Sequence, residues 1–122
     1  MNDSRFPRGV YGQGDEPDTR FTLANERTFL AWLRTSLALL AGAVAVHAPA
    51  VDLDLWARTA FSLVLLVASA LAISQAWIRW RRAEVAMRTG QPLTGFAGPA
   101  VLAGVLGVLV VGVAIGVVVA AF

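Results

Sequence analysis

Phe21-Thr-Leu-Ala-Asn-Glu-Arg-Thr-Phe-Leu-Ala-Trp-Leu-Arg-Thr-Ser-Leu-Ala-Leu-Leu-Ala-Gly-Ala-Val-Ala-Val46 passes without interruption from a polar approach into an apolar helix. Asn25, Glu26 and Arg27 stand at its mouth, and from Phe29 to Val46 the only formal charge is Arg34. An apolar run of about 18 residues or more is long enough to cross a bilayer as a helix. An ionisable side chain within such a run is a candidate functional residue.

The same character extends over the rest of the chain. Of its 122 residues 57% are hydrophobic and the mean hydropathy is +0.67, above the roughly 45–50% apolar content of soluble domains. The apolar residues form three long blocks, which implies one all-α domain of three membrane-spanning helices. The ten basic residues are all arginine, and arginine stays charged even in a poor dielectric. A net charge of +2 is too small to point to nucleic acid. The absence of cysteine excludes disulfides, thiolate metal sites and cysteine nucleophiles. No carboxylate pair, nucleophile–base pair or metal cluster falls within the spans, so neither an enzyme nor a cofactor is expected.

Met1–Arg20 is polar and rich in glycine and proline. It has no apolar core of a cleavable signal and is expected to be a disordered tail. The first span is expected over about 22–47, with Thr22 or Asn25 as N-cap and Glu26 in the first turn, where a carboxylate suits the helix dipole. Proline at position 49 stops it. A second span is expected over about 56–78, with Ser62, Ser69 and Gln75 able to hydrogen-bond between helices. It is followed by a short basic helix, Arg79–Arg88, in which Glu84 can pair with Arg81 or Arg88. A third span is expected over about 98–121.

Small residues recur at helical spacing in two spans. Ala31, Ala38 and Gly42 lie along the first span, and Gly104, Gly112 and Gly116 along the third. Such stripes let helix backbones approach closely in lipid, so these faces are expected to pack against protein, in a homo-oligomer. The arginines cluster before the first span and after the second, whereas Asp52 and Asp54 occupy the intervening loop. The positive-inside rule therefore predicts a cytoplasmic N-terminus and an external C-terminus. Trp32, Trp77 and Trp80 near one border and Trp56 near the other match an aromatic belt.

Arg27 and Arg34 are seven residues apart and share one helix face. Repeated in an oligomer, they would form rings of positive charge, a known device for selecting anions. The competing reading makes Arg34 a topology anchor. It lies ~7 Å inside the span at 1.5 Å per residue, close enough for its guanidinium to reach back to the headgroups. Arg79, Arg81, Arg82 and Arg88 are candidates for contact with anionic lipid or another anion, at about 1 kcal/mol per arginine near a membrane surface. Asn25 and Glu26 are expected to form a structural polar cluster, with Glu26 capping the helix or pairing with Arg81 or Arg82. His47 is alone and cannot build a metal site.

Ala24-Asn-Glu-Arg-Thr-Phe-Leu-Ala-Trp-Leu-Arg34, together with the later Arg81-x-x-Glu-x-Ala-x-Arg-x-Gly-Gln-Pro92, resembles the YidH-like family. The resemblance runs from Phe21 to the end and implies a small three-helix protein of the bacterial inner membrane, carrying a domain of unknown function. The same block is similar to the first membrane helix of vacuolar transporter chaperone subunits. That likeness implies an oligomeric membrane domain in which Arg27 and Arg34 line a path for phosphate or polyphosphate. It implies no synthesis, because this chain has no cytosolic polymerase domain. The alternative is a non-conducting scaffold that binds anionic lipid or a partner membrane protein.

Overall fold

The computed structural model describes residues 4–92 and 98–122. The described residues are helical or irregular, in the order α1 (Arg8–Tyr11), α2 (Thr19–Ala45), α3 (Leu55–Thr89) and α4 (Gly98–Ala121). The last three are each long and apolar enough to cross a membrane, so the fold is an all-α membrane domain.

Helix α2 starts earlier than its composition suggests. Asp18 is the N-cap and its carboxylate accepts the Arg20 backbone N–H at 2.9 Å, the role that acidic caps play for unpaired N–H groups. Thr22 and Asn25, the expected caps, lie inside the helix, and Glu26 falls in its third turn. The local Asp–Thr–Arg sequence is as good a cap as Thr22, and it has the advantage of extending the helix by a turn.

The second span and the basic segment behind it form one helix of 35 residues. No proline or glycine interrupts Leu55–Thr89, so nothing breaks the hydrogen-bond ladder between Ile78 and Arg79. At 1.5 Å per residue such a helix is about 50 Å long, well beyond the ~30 Å of hydrocarbon. Its arginine-rich end therefore projects past the apolar layer. Gly90, with φ +69°, ends it in the left-handed conformation typical of a helix C-terminus.

Helices α2 and α3 form an antiparallel hairpin. The buried side of α2 is Asn25, Trp32, Ser36, Leu39 and Ala43, and α3 opposes it with Ser62, Ala68, Ser69, Ala72 and Ala76. Trp32 and Leu39 pack onto the alanines of α3, with Phe29, Leu33 and Leu65 closing around them. The small residues are thus on α3 and the large ones on α2. Ala31 and Ala38 lie on the exposed side of α2, while half-buried Gly42 looks toward Leu65.

Helix α4 touches the hairpin through α3, where Leu102 and Val105 reach the core. Its central apolar segment, Pro99–Val119, has no buried residue. Among the described residues, no atom outside the helix's own neighbouring backbone lies within 4 Å of a Cβ built on Gly104, Gly112 or Gly116.

Candidate functional site

Polar contacts clasp the hairpin at three levels. In the middle, the Ser36 hydroxyl lies 3.0 Å from the Ser69 carbonyl, and the Ser69 hydroxyl lies 2.9 Å from the Ser36 carbonyl. The two hydroxyl oxygens are 2.9 Å apart, so one hydroxyl can instead donate to the other. Near the turn, the Ser62 hydroxyl donates to the Ala43 carbonyl at 3.1 Å and meets His47 Nε2 at 3.3 Å. At the arginine-rich end, the Asn25 amide donates to the Trp80 carbonyl at 3.1 Å and to Glu84 Oε1 at 3.3 Å. Ser62 and Ser69 bridge helices as their positions suggested. Ser36 was hidden by its position in a run of leucines, although the Trp32–Ser36–Leu39–Ala43 periodicity marks it as inward.

The arginine-rich end holds the densest electrostatics. Glu84 is fully buried and Arg88 is 6% exposed. The second Glu84 oxygen and Arg88 Nε face each other at 3.8 Å, an ion pair one helical turn apart with no hydrogen bond between those atoms. The N-terminal segment covers this pair. Glu16 accepts from Arg88 at 3.2 Å and also pairs with Arg5. The Arg88 and Arg5 guanidinium groups stand 4.6 and 4.5 Å from the Tyr11 ring centroid, within cation–π range.

The Asp15 N–H donates to the Arg88 carbonyl at 3.0 Å. Gly14, at φ +56°, brings its backbone against that same carbonyl, where a Cβ would collide. Val10 is fully buried. Residues 5–16 therefore form a strap across the end of α3, in a stretch whose composition predicts disorder. Its anchors are a single tyrosine, a valine and one acid among many polar residues, which leaves no periodic signal to read. The bond from Arg5, and then the bond from Arg88, lowers the pKa of Glu16 below the usual carboxylate range.

The other basic candidates are separated by this architecture. Arg88 is enclosed by the strap and Glu84. Arg81 and Arg82 are exposed, and Arg79 is half-buried. Glu26 is exposed, whereas Asn25 is buried against α3, so these two neighbours do not form one cluster. Arg27 and Arg34 are exposed. At ~100° per residue they fall roughly 180° from the seam marked by Asn25, Trp32, Ser36 and Ala43. Ala31 and Ala38 follow them at four-residue intervals on the same outer side. Among the described residues there is no group of three His, Cys, Asp or Glu side chains placed to hold a metal.

A three-helix domain of this length, with a buried ion pair at its basic end, defines a class of small multi-pass membrane proteins. The family model described as "Domain of unknown function (DUF202)" matches residues 20–86, and the chain belongs to that family. It is 48% identical over 99 residues to an uncharacterised protein of Mycobacterium tuberculosis, covering 80% of each chain. It is 43% identical over 81 residues to the inner membrane protein YidH of Escherichia coli, covering 66% of this chain and 70% of that one. No solved structure matches. The relatives carry no enzymatic name. The family and the three spans make this a protein of the bacterial inner membrane.

Proposed function

We propose that the chain is a non-catalytic, self-associating membrane module whose Arg27 and Arg34 bind an inorganic anion, with phosphate or polyphosphate as the preferred class. One observation carries this reading: the two arginines share the outer face of α2 with Ala31 and Ala38, away from the hairpin seam. A second copy laid on that small-residue stripe would enclose both cations in protein, where a fixed positive charge is felt more strongly than in water. The N-terminus and the arginine-rich end face the cytoplasm in this arrangement. A reporter fused after Phe122 is then active only outside; cytoplasmic activity would reverse the orientation.

The exposed Arg81 and Arg82 on the projecting end of α3 favour a second reading, a scaffold held against anionic lipid. Arg34 separates the two. In the anion-binding module, Arg34→Leu inserts and assembles but loses phosphate or polyphosphate binding. Arg34→Lys is impaired as well, because an ammonium lacks the planar fork that grips two oxygens. In the scaffold, both variants match the wild type at equal incorporation, and that result would remove the anion-binding reading.

A further inference from the structure

Where the strap crosses the hairpin it leaves a pocket of about 310 Å³. Aromatic side chains dominate its wall: Phe6 and Tyr11 from the strap, Phe29 from α2, and Trp77 and Trp80 from α3, with the carboxylate-bearing Glu26 beside them. Trp80 is the hub, with ring centroids 5.5 Å from Trp77, 6.3 Å from Phe29 and 6.4 Å from Tyr11. Tilted rings around a space, with one carboxylate at its rim, are the arrangement that holds an organic ammonium group: the ring faces and the carboxylate attract it together. The Tyr11 ring is already taken, with the Arg5 and Arg88 guanidinium groups 4.5 and 4.6 Å from its centroid, so the rings left for a further cation are those of Phe6, Phe29, Trp77 and Trp80. Arg5 and Arg88 are bound to Glu16, and Arg88 also faces Glu84, which leaves Glu26 as the acid on the pocket wall.

The pocket also has a direction. Its wall includes Leu30, and the outward side of α2 continues from there to Leu37, two turns deeper in the span. On α3, Ile73 continues from Trp77 one turn deeper toward the same end of the hairpin. All four side chains are exposed, Leu30 by 56%, Leu37 by 65%, Ile73 by 51% and Trp77 by 43%. An apolar track therefore runs from the mouth of this aromatic pocket down the exposed surface of the hairpin. A free soluble amine has no use for such a track, whereas an acyl chain does.

We propose that this pocket binds the ammonium headgroup of an amine-bearing phospholipid, its acyl chain lying along the track from Leu30 and Trp77. Leu30 and Leu37 lie one helical turn on either side of Arg34, so the track borders the Arg27–Arg34 face, but the proposal does not rest on anion binding there.

The test uses the full chain in maltoside micelles, read by the emission of Trp77 and Trp80 against Trp77→Phe and Trp80→Phe controls. Lysophosphatidylethanolamine and lysophosphatidylglycerol of equal chain length are titrated in parallel with soluble ethanolamine. The expected result is a saturable change with the ethanolamine lipid, roughly tenfold weaker binding in Glu26→Gln, and little response to the other two ligands. Glu26 is exposed, so Glu26→Gln keeps the fold, which circular dichroism verifies. Equal binding of the glycerol lipid would show a nonspecific or anionic-lipid contact and overturn the proposal. So would binding of ethanolamine as tight as that of the lipid, or an unchanged affinity in Glu26→Gln.

Discussion

Helices α3 and α4 are both apolar and long enough to span a membrane, yet they are held in opposite ways. Helix α3 is sewn to α2 by alanine packing, reciprocal serine contacts and a buried acid at its end. Helix α4 has small residues at Gly104, Gly112 and Gly116 with, among the described residues, nothing outside the helix's own neighbouring backbone against them. In water, hydrophobicity alone would force α4 onto the core. In lipid the acyl tails are as apolar as valine, so only close packing and polar contacts hold helices together. Helix α4 has no polar side chain between Gly98 and Ala121 to supply the latter. The difference teaches that α2 and α3 form the closely packed unit, and that α4 and the outer face of α2 are two separate surfaces left open to another molecule.

The largest expected effect lies at the buried pair. Arg88→Met leaves Glu84 inside without its cation, and removing one member of a buried pair costs about 3–5 kcal/mol. Unfolding of the detergent-solubilised protein measures it. The double variant Glu84→Leu with Arg88→Met should recover much of that loss, because no unpaired charge remains. If Arg88→Met is as stable as the wild type, the ion pair does not hold this end of the hairpin.

A smaller effect is expected in the middle of the seam. Ser36→Ala with Ser69→Ala removes both bridging hydroxyls and should cost about 1 kcal/mol, given averages near 0.6 kcal/mol for such contacts in membranes. An equally large effect from Ser74→Ala, whose hydroxyl bonds only to Ala70 within its own helix at 2.9 Å, would show that the interhelical clasp is not what matters.

The smallest effect is expected at the strap, which should respond to acid through Glu16. Glu16 has a lowered pKa, so its contribution is present above the ordinary carboxylate value, about 4.3, and is lost as pH falls through the depressed folded value. The strap should stay docked at neutral pH and release only in strong acid. Trp80, 6.4 Å from the Tyr11 ring, reports this by fluorescence, and Glu16→Gln should show the released signal at pH 7. A wild-type transition centred above pH 5 would assign the event to another group.

Much of the fold is legible in the sequence because apolar length is a one-dimensional property: three uninterrupted blocks specify three spanning helices. The faces are less legible. The Ala31, Ala38 and Gly42 stripe is a clear small-residue pattern, yet the hairpin buries the neighbouring Trp32, Ser36, Leu39 and Ala43 line, because the small partners come from Ala68, Ala72 and Ala76 of α3. Which of two suitable faces meets which helix depends on the partner and cannot be read from one helix alone. At the basic end, Glu84 with Arg88 is visible at helical spacing. Their burial is not, because it comes from Asn25 and from a strap with no periodicity.

The cysteine-free chain permits a direct test of these two open surfaces. Single Gly112→Cys and Ala38→Cys variants, oxidised in native membranes, should form cross-linked dimers, whereas Ala72→Cys, buried in the hairpin seam, should stay monomeric. Monomers throughout would show that no second copy lies on α4 or the outer face of α2. Efficient dimers from Ala72→Cys would show that the hairpin is not the closely packed unit described above.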